Sequence, residues 1–539
     1  MLYIGLVAIV LAGPFFLHQG DPMDLVRADR HLVVITPHDA QIRAEIGGAF
    51  IRKWKADTGE TLDIDWRIPG GSSEIIMLLK SEYLAAFRDY FERAGNSWST
   101  EIASGFTNNS SAKVTLAGQE ARRTFLNSDV GIGIDVIFGG GASDYQQLAD
   151  AGYLVAGSPG DDVGFRAIRK HHPDWFNDKV MPSSYSGEQY RDPEDRWVGV
   201  LLASFGIIYN TEVYQQLGDL PAPRQWPDLA DPRLEGYLAL ADPTKSGSVA
   251  KAFELMIQQQ MVEAFDTSDR TVGADAERRA IDNGWIKGLQ LIQRLAGNAR
   301  YFTDSAGKIG LEVARGDAAA GMAIDSYGRV LTEFVEHESG STRVRYVIPA
   351  RGTSLSVDPV AMLRGAPHPE LATAFLSFLL SSEGQKLWAL KPGVPDGPKM
   401  FALRRFPVRR DIYSSSQPEL FTEGKIDPYE RISEFVYHPN WTQSLFSALR
   451  FMIRVMCIDP HDELREAWQA IIRNGMDEKA LAAFHDMDGA TLDVIREQVI
   501  PILKKRDKIS EMALSRQLAA RFRAHYVRAK ALANGEVLP

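Results

Sequence analysis

Six short stretches place small, hydroxylated or acidic residues where an apolar run ends and an amphipathic pattern begins. They are Thr36-Pro37-His38-Asp39, Gly70-Gly71-Ser72-Ser73, Gly139-Gly140-Gly141, Thr244 with Ser246-Gly247-Ser248, Asp304-Ser305, and Asp325-Ser326-Tyr327. At the carboxyl end of a strand such residues open a helix, and the first-turn N–H groups of that helix have no partner within it. One junction of this kind is ordinary capping. Six in one chain are better explained by a shared cleft whose hydroxyls and amides suit a phosphate or carboxylate. The expected ligand contacts are Thr36, His38, Gly71, Ser72, Ser73, Gly140, Ser246, Gly247, Ser248, Asp304, Ser305, Asp325, Ser326 and Tyr327.

Enzyme signatures are absent. The run from Gly139 has the first two glycines of a dinucleotide loop but Asp144 at the third position. Phosphate-loop, zinc-protease and nucleophile-elbow patterns do not occur. His461 begins a segment that lacks the second histidine of a zinc motif, and His171-His172-Pro173 reads as a loop. Asp325 beside Ser326 is the nearest approach to a base and a nucleophile, an adjacency too common to define a hydrolase. No catalytic residue and no resident cofactor are expected.

The elements that must position these residues alternate. Apolar strand patterns at 32–36, 62–67, 132–139, 199–210, 238–241, 319–324 and 345–350 are nearly all followed by helical periodicity. That is the signature of an α/β architecture with mostly parallel sheets. Residues 81–127 form an elaboration containing the polar loop Asn108–Val114. From about Pro428 the pattern is helix only. Asp459 is the expected N-cap of a helix with Pro460 at its first position, and Leu464, Trp468 and Ile471 share one face. The last helix ends at Asn534-Gly535 and carries a basic face that reads as solvated surface.

Length and composition bound the rest. The 539 residues suggest about three domain-sized units, and the net charge of −10 argues against a nucleic-acid partner. A single cysteine, Cys457, excludes an internal disulfide. Leu2 to Leu17 is almost wholly apolar and is expected to be an export signal or membrane anchor, with Pro14 where a lipidated cysteine would stand.

The segments "DVIFGGGASDYQQLADAGYL", "WPDLADPRLEGYLALADPTKSGSVAKAF", "VARGDAAAGMAIDSYGR" and "AMLRGAPHPELATAFLSFLLSSEGQKL" together resemble bacterial extracellular solute-binding proteins. These are the capture subunits of ABC importers, and the likeness is to the branch with ferric-ion, thiamine and phosphonate binders. It runs from about Leu32 to Tyr413 in the same order. The resemblance implies a type II periplasmic-binding fold, two α/β lobes with a hinge, followed here by an α-helical C-terminal extension. The expected divisions are 1–20 leader, 31–140 first lobe, 141–346 second lobe, 347–427 return to the first lobe and 428–539 extension.

The resemblance further implies a monomeric, periplasmic or extracytoplasmic receptor that delivers its solute to an ABC permease and ATPase. In ferric-ion members a His, a Glu and two consecutive Tyr hold the metal. Here His38 and Tyr327 match, whereas Gly140 stands for the Glu and Ser326 for the first Tyr. Two of four protein ligands are missing, which argues against capture of bare Fe3+, so the expected cargo is a small anionic solute or a metal complex, Fe3+ held by a bound anion or chelator included. A non-transporting sensor or scaffold with the same fold is the alternative.

Overall fold

The computed structural model describes residues 28–107, 115–157, 162–267, 274–424, 426–432, 434–505 and 507–536. The expected leader at 1–20 and the polar loop at 108–114 lie outside the described residues. Among the described residues no helix is long and apolar enough to cross a membrane.

Two mixed sheets organise two lobes. The first sheet runs Phe406–Pro407, Val198–Ala203, Ser356–Leu363, Val136–Phe138, Arg30–Ile35, Leu62–Arg67, with Leu154–Val155 also paired to Ser356–Leu363. Arg30–Ile35 is parallel to both its neighbours, whereas Ser356–Leu363 is antiparallel to its own. The second sheet runs Ala299–Thr303, Leu238–Ala241, Ala320–Ile324, Phe205–Asn210, Val344–Val347, its first three strands parallel and the last two pairings antiparallel. The strand Ser356–Leu363, central to the first sheet, was not among the expected strands. Its Asp358-Pro359 pair breaks the apolar run and coincides with a register shift in the ladder.

The apolar run at 199–210 is not one strand. Val198–Ala203 belongs to the first sheet and Phe205–Asn210 to the second, with only Ser204 between them. Every residue of both strands is buried, so the sequence shows a continuous buried segment and conceals the change of sheet. A second crossing joins Val344–Val347 to Ser356–Leu363. The two crossings are tied side by side: Phe205 N donates to Thr353 Oγ1 at 3.0 Å, and Ser356 Oγ donates to the Ala203 carbonyl at 3.0 Å. These are hinge strands of a type II periplasmic-binding fold, a two-lobed α/β architecture.

The lobe boundary therefore lies at Ser204 and not at 140/141. Residues 141–203 stay with the first lobe because Leu154–Val155 and Val198–Ala203 both pair with Ser356–Leu363. The elaboration at 81–127 is largely helical: Ser72–Arg93, Thr100–Thr107 and Leu116–Leu126 bury Tyr83, Phe87, Phe106 and Phe125 in the first-lobe core.

The helical extension shares one core with the second lobe. Leu464, Trp468 and Ile471 are buried as the periodicity requires. Trp468 Nε1 donates to Asn298 Oδ1 at 2.8 Å, and Trp285 Nε1 donates to the Ala490 carbonyl at 2.8 Å. Asp459 is not an N-cap. A π-helical turn, Arg454–Ile458, precedes it, Asp459 is itself helical, and Pro460 caps His461–Arg473. His171 closes the helix Gly164–His171, and His172 stacks on Trp175 at 4.0 Å between ring centres, so this pair is helix end and not loop.

Candidate functional site: the cleft between the lobes

A cavity of about 690 Å³ lies between the lobes. It takes a helix start from each side of the hinge. Ser72–Arg93 and Ala142–Ala151 come from the first lobe, and Gly247–Asp266 and Ala306–Arg315 from the second. Ser246 and Ser305 cap their own helices, accepting from Val249 N and Gly307 N. Gly71 and Gly141 cap the other two with no side-chain acceptor, which leaves the first-turn amides available to a ligand. Gly140 lies between strand and helix at φ +127°, a conformation open to glycine and rarely to other residues.

His38, Gly71, Ser72, Gly140, Ser246, Gly247, Ser248, Asp304, Ser305 and Tyr327 line this cavity. Thr36, Ser73, Asp325 and Ser326 do not. Thr36 is fully buried, and its Oγ1 accepts from His38 N at 3.1 Å, so it shapes the turn. Ser73 accepts from Arg450 Nη2 at 3.0 Å. The Asp325 carboxylate accepts from Arg329 Nη2 at 3.0 Å and from Ser326 N at 2.7 Å. It is thereby committed to its own helix, and the Ser326 hydroxyl is buried without a partner among the described residues.

His38 is neutral throughout the physiological range. Burial, aided by the charge of Arg405, pushes it down to about 3. Its ring packs edge-on against Phe138 at 4.5 Å, and a Cβ on Gly139 would stand 2.5 Å from its Nε2. Tyr327, the other expected metal ligand, is 41 % exposed and carries the Arg405 guanidinium 5.3 Å from its ring centre. A cation placed beside both residues opposes a bare ferric ion there.

The cleft also holds charged groups that sequence reasoning missed. Lys251 Nζ lies 2.9 Å from Glu188 Oε1 and 3.1 Å from Glu254 Oε2, and 3.4 Å above the Tyr437 ring. Burial alone would lower its pKa, and the two carboxylates more than reverse that, so it is raised and stays charged. Asp144 and Asp358 are each pushed up to about 6 by burial, against the partial relief of Arg450 and Lys80 for the first and Arg405 for the second. Lys251 and Glu254 follow Ser248 at three-residue steps on one helix, so extending that face would have found them. Glu188 sits in the short hairpin Ser184–Gln189, which leaves no such trace.

A family model described as bacterial extracellular solute-binding protein matches residues 167–401. Among curated proteins, one of Haemophilus influenzae described only as uncharacterized is 26% identical over 204 residues, 37% of this chain and 51% of that protein. The phosphoglycerate transport regulatory protein PgtC of Salmonella typhimurium is 24% identical over 192 residues, 36% of this chain and 40% of that protein. The chain thus spans about half, or less, of the curated relatives it matches. Similar solved structures include the periplasmic binding protein AfuA of Actinobacillus pleuropneumoniae with fructose-6-phosphate bound, at TM-score 0.48 and 17% identity, covering 79% of this chain and 98% of that one. Iron-bound HitA of Pseudomonas aeruginosa is similar at TM-score 0.45 and 15% identity, covering 78% and 98%. Over residues 167–401, which carry both hinge crossings and the sheet of the second lobe, the chain is similar to the bacterial extracellular solute-binding family.

Proposed function

We propose that the chain is the extracytoplasmic capture component of an ABC-type importer, and that the cleft closes on a small anionic solute or an anionic metal complex for delivery to a permease and ATPase. The observation that carries this reading is the meeting of four helix starts, two from each lobe, at one cavity of about 690 Å³. Each helix start presents roughly half a positive charge together with unpaired N–H groups. A ligand bridging both lobes would favour the closed form by its differential affinity for it. The name of the Salmonella relative, which refers to phosphoglycerate, is in keeping with an anion. Bare ferric ion is not part of the proposal, since Arg405 stands beside His38 and Tyr327.

Asp144 and Asp358 give the reading a pH signature. Both titrate near 6 and face the same cavity, so their negative charge, which opposes an anion, fades as pH falls through 6. Calorimetry with inorganic phosphate, 3-phosphoglycerate, citrate and ferric citrate should find an anion that binds more tightly at pH 6 than at pH 8, with proton uptake. Binding of neutral or cationic solutes alone would overturn the anion reading.

A further inference from the structure

The two lobes and their hinge form a cleft without help from the residues after 434, yet Tyr437, Pro439, Asn440, Gln443 and Phe446 line it. This stretch is fixed to the second lobe by a buried polar network. Gln258 donates to the His438 carbonyl at 2.8 Å and to Thr442 Oγ1 at 2.6 Å, and accepts from His438 N at 2.8 Å. Glu254 accepts from the Tyr437 hydroxyl at 2.8 Å and from Thr442 Oγ1 at 2.6 Å. Glu254, Gln258 and Thr442 are each 1 % exposed or less. Buried polar groups so completely joined hold one geometry. The helix that begins at the solute site therefore also holds the extension against it.

Beyond this network the extension presents two neutral amides to the cavity, Asn440 and Gln443. Both are exposed, and neither side chain has a hydrogen-bond partner among the described residues. Each amide can donate and accept at once, which matches a hydroxyl group and is redundant for a bare anion, whose oxygens only accept. The cavity of about 690 Å³ falls within the ~300–1,000 Å³ of sites for small organic molecules. It is far larger than a single inorganic ion requires.

We infer that the C-terminal extension is a third wall of the solute site, and that Asn440 and Gln443 are specificity-determining residues that read the hydroxyl groups of a hydroxylated organic anion. The helix starts take the charge, and the extension takes the carbon skeleton and its hydroxyls. This rests on the anion-capture reading above and narrows its substrate class.

The test compares 3-phosphoglycerate and glucose 6-phosphate, which carry hydroxyls, with phosphoglycolate and inorganic phosphate, which carry no alcohol hydroxyl. Affinities are measured by calorimetry for the full chain and for Asn440→Ala, Gln443→Ala and the double variant. Both positions are exposed and unbonded, so the variants should keep the parent's melting temperature. The expected result is a roughly tenfold or greater loss for a hydroxylated ligand in the double variant, with the unhydroxylated probes changed by less than about twofold. Unchanged affinity for a hydroxylated anion that the parent binds overturns the third-wall inference and leaves anion capture standing. Equal loss for both probe classes overturns the hydroxyl assignment. A parent that binds none of the four overturns the anion reading and this inference with it.

Discussion

Asp144 is buried between the first turn of its own helix and the Gly247 end of the facing one, where a Cβ on Gly247 would stand 3.4 Å from its Oδ2. Burial raises its pKa to about 6 from 3.8, and Arg450 and Lys80 offset this only in part. The folded state thus holds a proton that the unfolded chain has released between about pH 4 and 6, so stability falls as pH rises through that window. Above 6 the full penalty remains, on the order of 3 kcal/mol for a shift of this size. Asp144→Asn should raise the melting temperature at pH 8, and the gain should shrink toward zero near pH 4. An equal gain at both pH values would show that the carboxylate charge is not the cause. His38 carries the opposite sign. Its folded pKa of about 3 lies below the ordinary 6.5, so it withdraws stability as pH falls below 6.5.

At the scale of elements, the helix Gly247–Asp266 has two duties. Its N-terminus faces the cleft, and its next two turns carry Lys251, Glu254 and Gln258 into a network shared with the first-lobe hairpin and the extension. Lys251 has two carboxylates, Glu188 and Glu254, whose charge nothing else in that network balances so closely. Lys251→Ala should therefore destabilise the protein by about 3–5 kcal/mol, as removal of one partner from a buried ion pair does. Lys251→Met combined with Glu188→Gln and Glu254→Gln should recover most of that loss, because no unpaired charge remains. Denaturant midpoints at constant slope would measure both, and a Lys251→Ala variant as stable as the parent would contradict the account.

For the whole molecule, Arg450 couples the extension to both lobes. Its Nε donates to the Pro243 carbonyl at 2.8 Å, and its Nη2 to the Thr244 carbonyl at 2.7 Å and to Ser73 Oγ at 3.0 Å. Pro243 and Thr244 lie just after the second-lobe strand Leu238–Ala241, whose core the extension shares, whereas Ser73 lies in the first turn of the first-lobe helix Ser72–Arg93. Hinge opening must break the Ser73 bond and can leave the other two intact. Spin labels at Ala56→Cys in the first lobe and Gln216→Cys in the second would report this, since the native Cys457 is buried away from reagents. Arg450→Ala and Ser73→Ala should each shift the ligand-free distance distribution toward longer separations than the parent shows. Coincident distributions in all three proteins would remove Arg450 as a tie between the lobes.

The strands at 62–67 and 238–241, the glycine and serine junctions and the amphipathic helix at 461–473 were legible in the sequence because each is a local signal. An apolar run ends, a cap residue follows, or a 3.6-residue period repeats. Those signals placed ten of the fourteen expected contacts on one cavity, since strand ends and helix starts of an α/β lobe must face the cleft. Local pattern could not separate Ser72 from Ser73 or Tyr327 from Ser326, because neighbours on a helix start point in different directions. Nor could it reveal that the run at 199–210 changes sheets at Ser204, since both halves are equally buried. Residues that meet at the cleft, Glu188 with Lys251, and Asn440 and Gln443 with the helix starts that line the same cavity, are separated by tens to hundreds of residues. Only the tertiary structure decides such meetings, because charge pairing and cavity shape depend on distances in space and leave no period along the chain.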